Sequence, residues 1–200
     1  MQNLLFSRFL KEKSHAKKVA YLGLLTAINV VFNSFLEIKT LDVQFSFTIM
    51  ISVLTGVISG AFSGFLVCML ADFIGYLMNS FGYIYMPWVG LSTGVLALFS
   101  GLIFIKNSNK IIVKTISICA ISLFVCTILI NSTGFYFYNK AMGFSTAVLE
   151  YVNEYFNKNV SYLAYVCYRL IFKGQIFNSI FNFVLLFIIL PVIKRFKIIR

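Results

Sequence analysis

Charged side chains are scarce in this sequence, and most of them are basic. They make up 12% of the 200 residues, with 17 Lys and Arg against 6 Asp and Glu, whereas hydrophobic residues make up 60%. Soluble domains are typically about 25% charged and about 45–50% apolar, so the composition predicts an integral membrane protein. The net charge of +11 favours contact with the anionic inner leaflet over nucleic acid, because the basic residues lie between apolar segments and at the termini.

Groups that support catalysis or metal binding are also few. His15 is the single histidine, which excludes a histidine cluster, and the cysteines form no Cys-x-x-Cys pair and are interpreted as buried apolar residues. The sequence has no G-x-x-x-x-G-K-[ST] phosphate loop, no G-x-S-x-G motif and no H-E-x-x-H motif. We therefore expect no enzyme, no cofactor, no metal site and no ATP hydrolysis by this chain.

Six apolar segments predict an all-α bundle of six transmembrane helices in a single membrane domain, since a helical span takes about 20 residues. The predicted spans are 17–36, 45–59, 61–79, 88–105, 111–136 and 170–193. Residues 1–16 are expected to lie on the cytoplasmic membrane surface, without the features of a cleaved signal peptide, and residues 194–200 to form a basic cytoplasmic tail.

The distribution of lysine and arginine predicts the orientation of these spans. With both termini in the cytoplasm, most basic residues fall on the inner side, at the termini and in 106–114. Four acidic residues then lie in the outer loops: Glu37, Asp42, Glu150 and Glu154. In the long connection 137–169, an apolar stripe over 148–156 predicts either a helix that lies at the outer surface or a lid.

An aspartate interrupts the third predicted span, in the stretch ADFIGYLMNSFGYIYMPW at residues 71–88. A carboxylate at membrane depth is costly and normally has a partner and a function. Asp72 has two candidate partners. One is a basic residue, Arg169 or Lys173, in a structural ion pair; the other is a ligand that carries adjacent N–H donors.

Arg169 and Lys173 lie at the predicted outer end of the last helix, where the helix dipole adds positive potential. They predict an anion site that faces outward, with contact to lipid phosphate as the alternative. Asn131, Asn178 and Asn182 are also predicted at membrane depth, where amides bond within the bundle or face a cavity.

The stretch 47–103 resembles a known transporter family. It contains a short apolar segment, a hairpin with glycines four apart, an Ala-Asp-x-Ile-Gly sequence and a glycine–aromatic loop that ends in proline. This pattern resembles the substrate-binding S components of energy-coupling factor (ECF) vitamin transporters, and among them the folate-specific branch. The resemblance extends over residues 17–193.

The resemblance implies a subunit that captures a vitamin, expected to be folate, at the outer face of a bacterial cell membrane. It implies that Asp72 binds the donors of a pterin ring and that Arg169 and Lys173 bind the glutamate carboxylates. The other implied substrate contacts are Tyr83, Tyr85, Trp88 and Asn131.

The resemblance also implies partners, namely a membrane coupling subunit and two ATPase subunits. Gly23 and Ala27 are spaced like the small residues through which the family contacts the coupling subunit, although packing inside the bundle would use the same spacing. Two alternatives stay open. One is an S component for another ligand, such as riboflavin or a pyrimidine, and the other is a stand-alone permease.

Overall fold

The computed structural model of the protein describes residues 5–34, 36, 38–39, 44–78, 84–105, 110–156 and 160–195. The regular secondary structure of this part is helical apart from a two-stranded antiparallel pair of Ile38–Lys39 (β1) and Gln44–Phe45 (β2), which was not predicted from the sequence. The helices are α1 (Arg8–Lys11), α2 (His15–Ser34), α3 (Thr48–Ser59), α4 (Ala61–Met78), α5 (Pro87–Ile105), α6 (Ile111–Met142), α7 (Thr146–Tyr155), α8 (Tyr162–Phe172) and α9 (Gln175–Arg195).

Within the described residues, four helices have the length and apolar composition needed to cross a membrane, namely α4, α5, α6 and α9. Large apolar side chains such as Leu70 and Ile188 are exposed on their outer faces, as lipid contact requires. The helix α3 is apolar but has 12 residues, fewer than the ~20 that a span normally takes. The prediction of a helical membrane protein is therefore confirmed, with four helices of spanning length among the described residues.

Three predicted spans differ from the observed helices. The span predicted over 45–59 begins three residues later, at Thr48, because Phe45 belongs to β2. The helix predicted over 111–136 continues to Met142, and its middle part, Ser122–Ser132, is a π-helix. The span predicted over 170–193 begins only at Gln175, because Gly174 has a φ of 65° and ends α8. The prediction that Arg169 lies at the start of the last helix is therefore wrong, since it belongs to α8.

Glycines let α3, α4 and α5 pack with their backbones in contact. A Cβ added to Gly56 in α3 would lie 1.9 Å from a backbone oxygen of α5, and one on Gly101 would lie 2.6 Å from Ala61 of α4. At the other end of the same pair of helices, Gly90 faces Asp72. The helices α4 and α5 are therefore antiparallel, and only glycine fits at these crossings.

A buried polar junction ties α2 to the same group. Asn29 donates to Thr55 of α3 at 2.7 Å, and the Cys68 thiol of α4 donates to Asn29 at 3.7 Å. Farther along, Ser34 fills the space beside Gly75. These contacts make α2 parallel to α4, so both helices end on the side where α5 begins.

The start of α3 is stabilised from α9. Phe47 provides no side-chain cap, and the free N–H of Met50 donates instead to Asn182 at 3.0 Å. The N–H of Ser46 donates to Asn178 at 2.9 Å, and Asn182 donates back to the Ser46 carbonyl at 2.7 Å. The helices α3 and α9 therefore run parallel and begin at the same end of the bundle.

The N-terminal segment closes the opposite end. The N–H of Ser7 donates to the Ser59 carbonyl at 2.9 Å, and its hydroxyl donates to the Ile58 carbonyl. Gly60, with a φ of 111°, lies against the backbone of this segment, and Leu10 is fully buried. The segment thus caps the end of α3 rather than only lying beside the bundle.

Candidate ligand-binding site

A cavity of about 730 Å³ lies at the end of the bundle where α3, α5 and α9 begin. Its volume falls within the range of about 300–1,000 Å³ that is typical of small-molecule sites. Hydroxyl and amide side chains form much of the wall, together with two basic residues, Arg169 and Lys173. No carboxylate lines the cavity among the residues that the structure describes, so its charge is positive.

The π-helical part of α6 supplies one wall. Ser122, Thr127 and Asn131 all line the cavity, although residues nine apart lie on opposite faces of an α-helix with about 3.6 residues per turn. The i→i+5 bonding of a π-helix takes more residues per turn and brings them to one face. Side-chain hydroxyls also bond to carbonyls five residues earlier. Thr127 donates to the Ser122 carbonyl at 3.0 Å, and Ser132 donates to the Thr127 carbonyl at 2.8 Å.

Arg169 is held against this wall. Its guanidinium donates to the backbone carbonyl of Asn131 at 3.1 Å and lies 4.1 Å from the ring centre of Phe135. The residue is 8% exposed. Among the described residues, no carboxylate pairs with this buried cation. A backbone carbonyl and a ring face offset only part of the cost of burying a charge, so the site favours an anionic partner.

Lys173 lies in the turn between α8 and α9 and also lines the cavity, with its side chain exposed. Gln175, Asn178 and Ser179 of the first turns of α9 line the cavity beside it. The N-terminus of a helix carries positive potential. Although Arg169 does not belong to α9, the two basic residues and this helix end therefore still converge on one cavity.

Three polar side-chain atoms of the wall are buried without a hydrogen-bond partner in the described chain: Ser122 Oγ, Asn131 Oδ1 and Gln175 Oε1. An unpaired buried polar atom is costly, and native folds contain few of them. Sequence reasoning identified Asn131 but missed Ser122 and Gln175. Ser122 gives no sequence signal because its position on the cavity side depends on the π-helix, and Gln175 was placed inside a continuous span.

Asp72 does not line the cavity. Its carboxylate accepts hydrogen bonds from the Tyr85 hydroxyl and from the backbone N–H of Gly90, and neither Arg169 nor Lys173 pairs with it in the described chain. The Tyr85 ring packs against Phe73 and Tyr76, with ring centres 5.4 and 5.1 Å away. Burial, and then the nearby charge of Asp72, raise the pKa of the Tyr85 phenol.

Trp88 lies at the start of α5 and packs on α6. Its ring centre is 5.7 Å from Phe135 and 6.0 Å from Tyr138. A Cβ added to Gly134 would lie 2.3 Å from the indole, so glycine is needed there. Trp88 therefore packs against Phe135, and the Phe135 ring in turn contacts the Arg169 guanidinium. Tyr83, the remaining predicted ring contact, lies outside the described residues.

The predicted partner surface lies on α2. Gly23 and Ala27 are exposed, and a Cβ added to Gly23 would meet nothing within 4 Å. Ala20 and Ala16 continue the same exposed stripe toward the start of the helix. These small residues therefore do not serve packing inside this chain.

Comparison with known families decides the class of the protein. Over residues 13–195 the sequence matches the family described as "ECF-type riboflavin transporter, S component". The chain belongs to this family. As an S component it is a multi-pass membrane protein, the vitamin-binding subunit of a transporter that works with an ECF module, and it is not an enzyme.

One solved structure shares the fold of this S component. The structure titled "Crystal structure of FolT bound with folic acid" is 23% identical, with a TM-score of 0.54 over 86% of this chain and 90% of that chain. At this identity the likeness establishes the fold alone. No curated protein sequence matches the chain.

Proposed function

We propose that this S component captures a carboxylate-bearing vitamin of the folate type, with the carboxylate held by Arg169. The observation that carries the proposal is a buried arginine in a cavity of about 730 Å³ whose described wall contains no acid. Charge-assisted hydrogen bonds between a guanidinium and a carboxylate are among the strongest in proteins. The similarity to a structure titled as bound to folic acid supports the choice of folate.

The cavity offers groups for the rest of such a ligand. Tyr165 and Tyr168 are buried, aromatic and part of the wall, so they are suited to stack on a flat ring. Lys173 and the start of α9 would contact a second carboxylate. Asp72, Tyr85 and Trp88 remain predicted contacts of the ring, but Asp72 would have to exchange Tyr85 or Gly90 for the ligand.

Riboflavin is the second candidate, because the hydroxyl-rich wall suits its ribityl chain and the family carries its name. Riboflavin has no carboxylate and would leave Arg169 buried without an anionic partner, which costs several kcal/mol for an ion in a poorly solvated site. The charge of the wall therefore favours the folate-type ligand.

Arg169→Ala tests the proposal by calorimetric binding of folic acid and of 6-hydroxymethylpterin, which lacks the glutamate. A hydrogen bond to a charged group contributes about 1.5–3 kcal/mol, so folic acid should bind about ten- to hundredfold more weakly to the variant. Binding of the pterin should change little. Lys140→Ala, at an exposed lysine of α6 outside the cavity wall, is the matched control. An equal loss for both compounds would contradict a carboxylate role for Arg169.

We also propose that α2 presents the docking surface for the coupling subunit. Gly23 and Ala27 are exposed small residues, and small residues allow close approach of a second helix within a membrane. Gly23→Leu should abolish vitamin uptake by the assembled transporter and leave calorimetric vitamin binding unchanged. Normal uptake by Gly23→Leu would show that the partner contacts another face.

The bundle of residues 17–193 is proposed to form one domain that crosses the membrane six times with both termini in the cytoplasm. The alternating directions of α2 to α5 support this arrangement, with α2 and α3 as the additional crossings. Basic residues support the orientation, because Lys114 and Lys194 lie within electrostatic range of each other at the end opposite the cavity. The cavity then faces outward.

A further inference from the structure

We propose that Gln175 is a specificity-determining residue whose amide oxygen accepts a hydrogen bond from an N–H or O–H donor of the vitamin, with Asn131 as a second acceptor. The inference rests on the proposed function for the identity of the cavity. It adds a requirement to the ligand, namely that a molecule with a carboxylate must also present donors to two neutral amide oxygens.

Burial and lack of a partner carry this assignment. Gln175 Oε1 and Asn131 Oδ1 are both buried and unpaired within the described chain, and both residues line the cavity, so each amide has to turn toward the cavity to meet a ligand donor. A carbonyl oxygen can only accept, so each needs a donor. A site that leaves such atoms unpaired rejects ligands without the matching donor far more strongly than an apolar wall does.

The neighbouring contacts explain why these two oxygens remain available. Arg169 bonds to the backbone carbonyl of Asn131 rather than to its side chain. Ser179 donates to the backbone carbonyl of Gln175 at 2.9 Å and not to its side-chain oxygen. By contrast Asn178 and Asn182, also on α9, are engaged with Ser46 at the start of α3. Unpaired amide oxygens are therefore not a general property of asparagine and glutamine here, although Asn33, outside the cavity wall, is unpaired as well.

The rest of the described wall has no acidic side chain that could accept hydrogen bonds from the ligand, so the amides are needed as acceptors. The described wall contains no carboxylate, and Asp72, the acidic residue of α4, already accepts from Tyr85 and Gly90. As long as Asp72 keeps these two bonds, the ring N–H and amino donors of a flat heterocycle must be satisfied by neutral acceptors. Amide oxygens meet this need without placing a negative charge beside Arg169.

Gln175→Met tests the inference, because methionine has a similar volume and accepts only weakly. Detergent-purified variants are compared with wild type for calorimetric binding of folic acid, riboflavin and p-aminobenzoylglutamate, and for melting temperature without ligand. The first two compounds carry heterocyclic donors, whereas the third contains the p-aminobenzoyl and glutamate parts of folic acid without the heterocycle. Asn33→Leu is the matched control, since Asn33 is also an unpaired amide but lies outside the cavity wall.

Gln175→Met should weaken folic acid about tenfold or more, because a ligand donor loses its partner. It should leave p-aminobenzoylglutamate unchanged, and the ligand-free melting temperature should stay level or rise. Asn33→Leu should affect no binding. If the wild-type protein binds riboflavin and not folic acid, the carboxylate proposal fails. The inference about Gln175 then requires that Gln175→Met weakens riboflavin binding by the same factor. Three outcomes would overturn the inference. They are an unchanged affinity of Gln175→Met for the heterocyclic compounds, a lowered ligand-free melting temperature of this variant, and no binding of any compound to the wild-type protein.

Discussion

The two halves of the bundle are built differently. From residue 48 to 105, α3, α4 and α5 are regular helices whose glycines bring backbones together, with Gly56 and Gly101 at the tightest crossings. From residue 111 to 195, the chain contains π-helical segments, a break at Gly174 and most of the cavity wall.

This contrast indicates that the first half serves mainly for helix packing and the second half mainly for ligand binding. The first half buries small residues in close contact, which leaves little freedom for rearrangement. The second half retains a buried cation and unpaired amide oxygens, which lower the stability of the ligand-free protein and favour ligand binding. We therefore expect the first half to support the cavity and the second half to make it selective.

Adding one methyl group to the first half should have the largest effect. Gly56→Ala places a Cβ 1.9 Å from a backbone oxygen that cannot move away easily. Overpacking typically costs about 1–3 kcal/mol, and more where backbone must shift, so the melting temperature in detergent should fall steeply and the yield of folded protein with it. Gly23→Ala is the control, because its Cβ meets nothing within 4 Å. Equal melting temperatures for both variants would contradict the tight crossing.

A smaller effect is expected at Asp72, which lies in α4 within the first half. Asp72→Asn replaces one acceptor oxygen with a donor that opposes Tyr85 or Gly90, which should cost about 1–3 kcal/mol and lower the ligand-free melting temperature by about 2–4 °C per kcal/mol. Tyr85→Phe and the double variant show whether the loss is shared, since coupled residues are not additive. A tenfold loss of folic acid affinity without a change in melting temperature would instead support direct contact between Asp72 and the ring.

The glycine-packed half was the easier part to predict from sequence. Glycines four apart indicated close packing of helices, and the observed α4 and α5 begin and end within one residue of the predicted spans. Asp72 was also easy to identify from the sequence, because it is an acidic residue among apolar neighbours. Its partners could not be predicted, since Tyr85 and Gly90 are brought to it by the turn between the helices.

The binding half gave a weaker signal. Arg169 and Asn131 were identified as polar residues in an apolar stretch, but the helix that holds Arg169 was merged with α9. Apolar periodicity does not distinguish α from π winding, so Ser122 and Asn131 were not expected on one face. Gln175 was overlooked because its importance depends on burial without a partner, which only the packed structure shows.

The small molecule that remains bound after gentle purification tests the central claim most directly. Mass spectrometry of the released compound should identify a folate-type vitamin with free carboxylates, present in wild type and depleted in Arg169→Ala. A neutral flavin retained equally by both proteins would contradict the account, because Arg169 would then bury its charge for no anionic ligand.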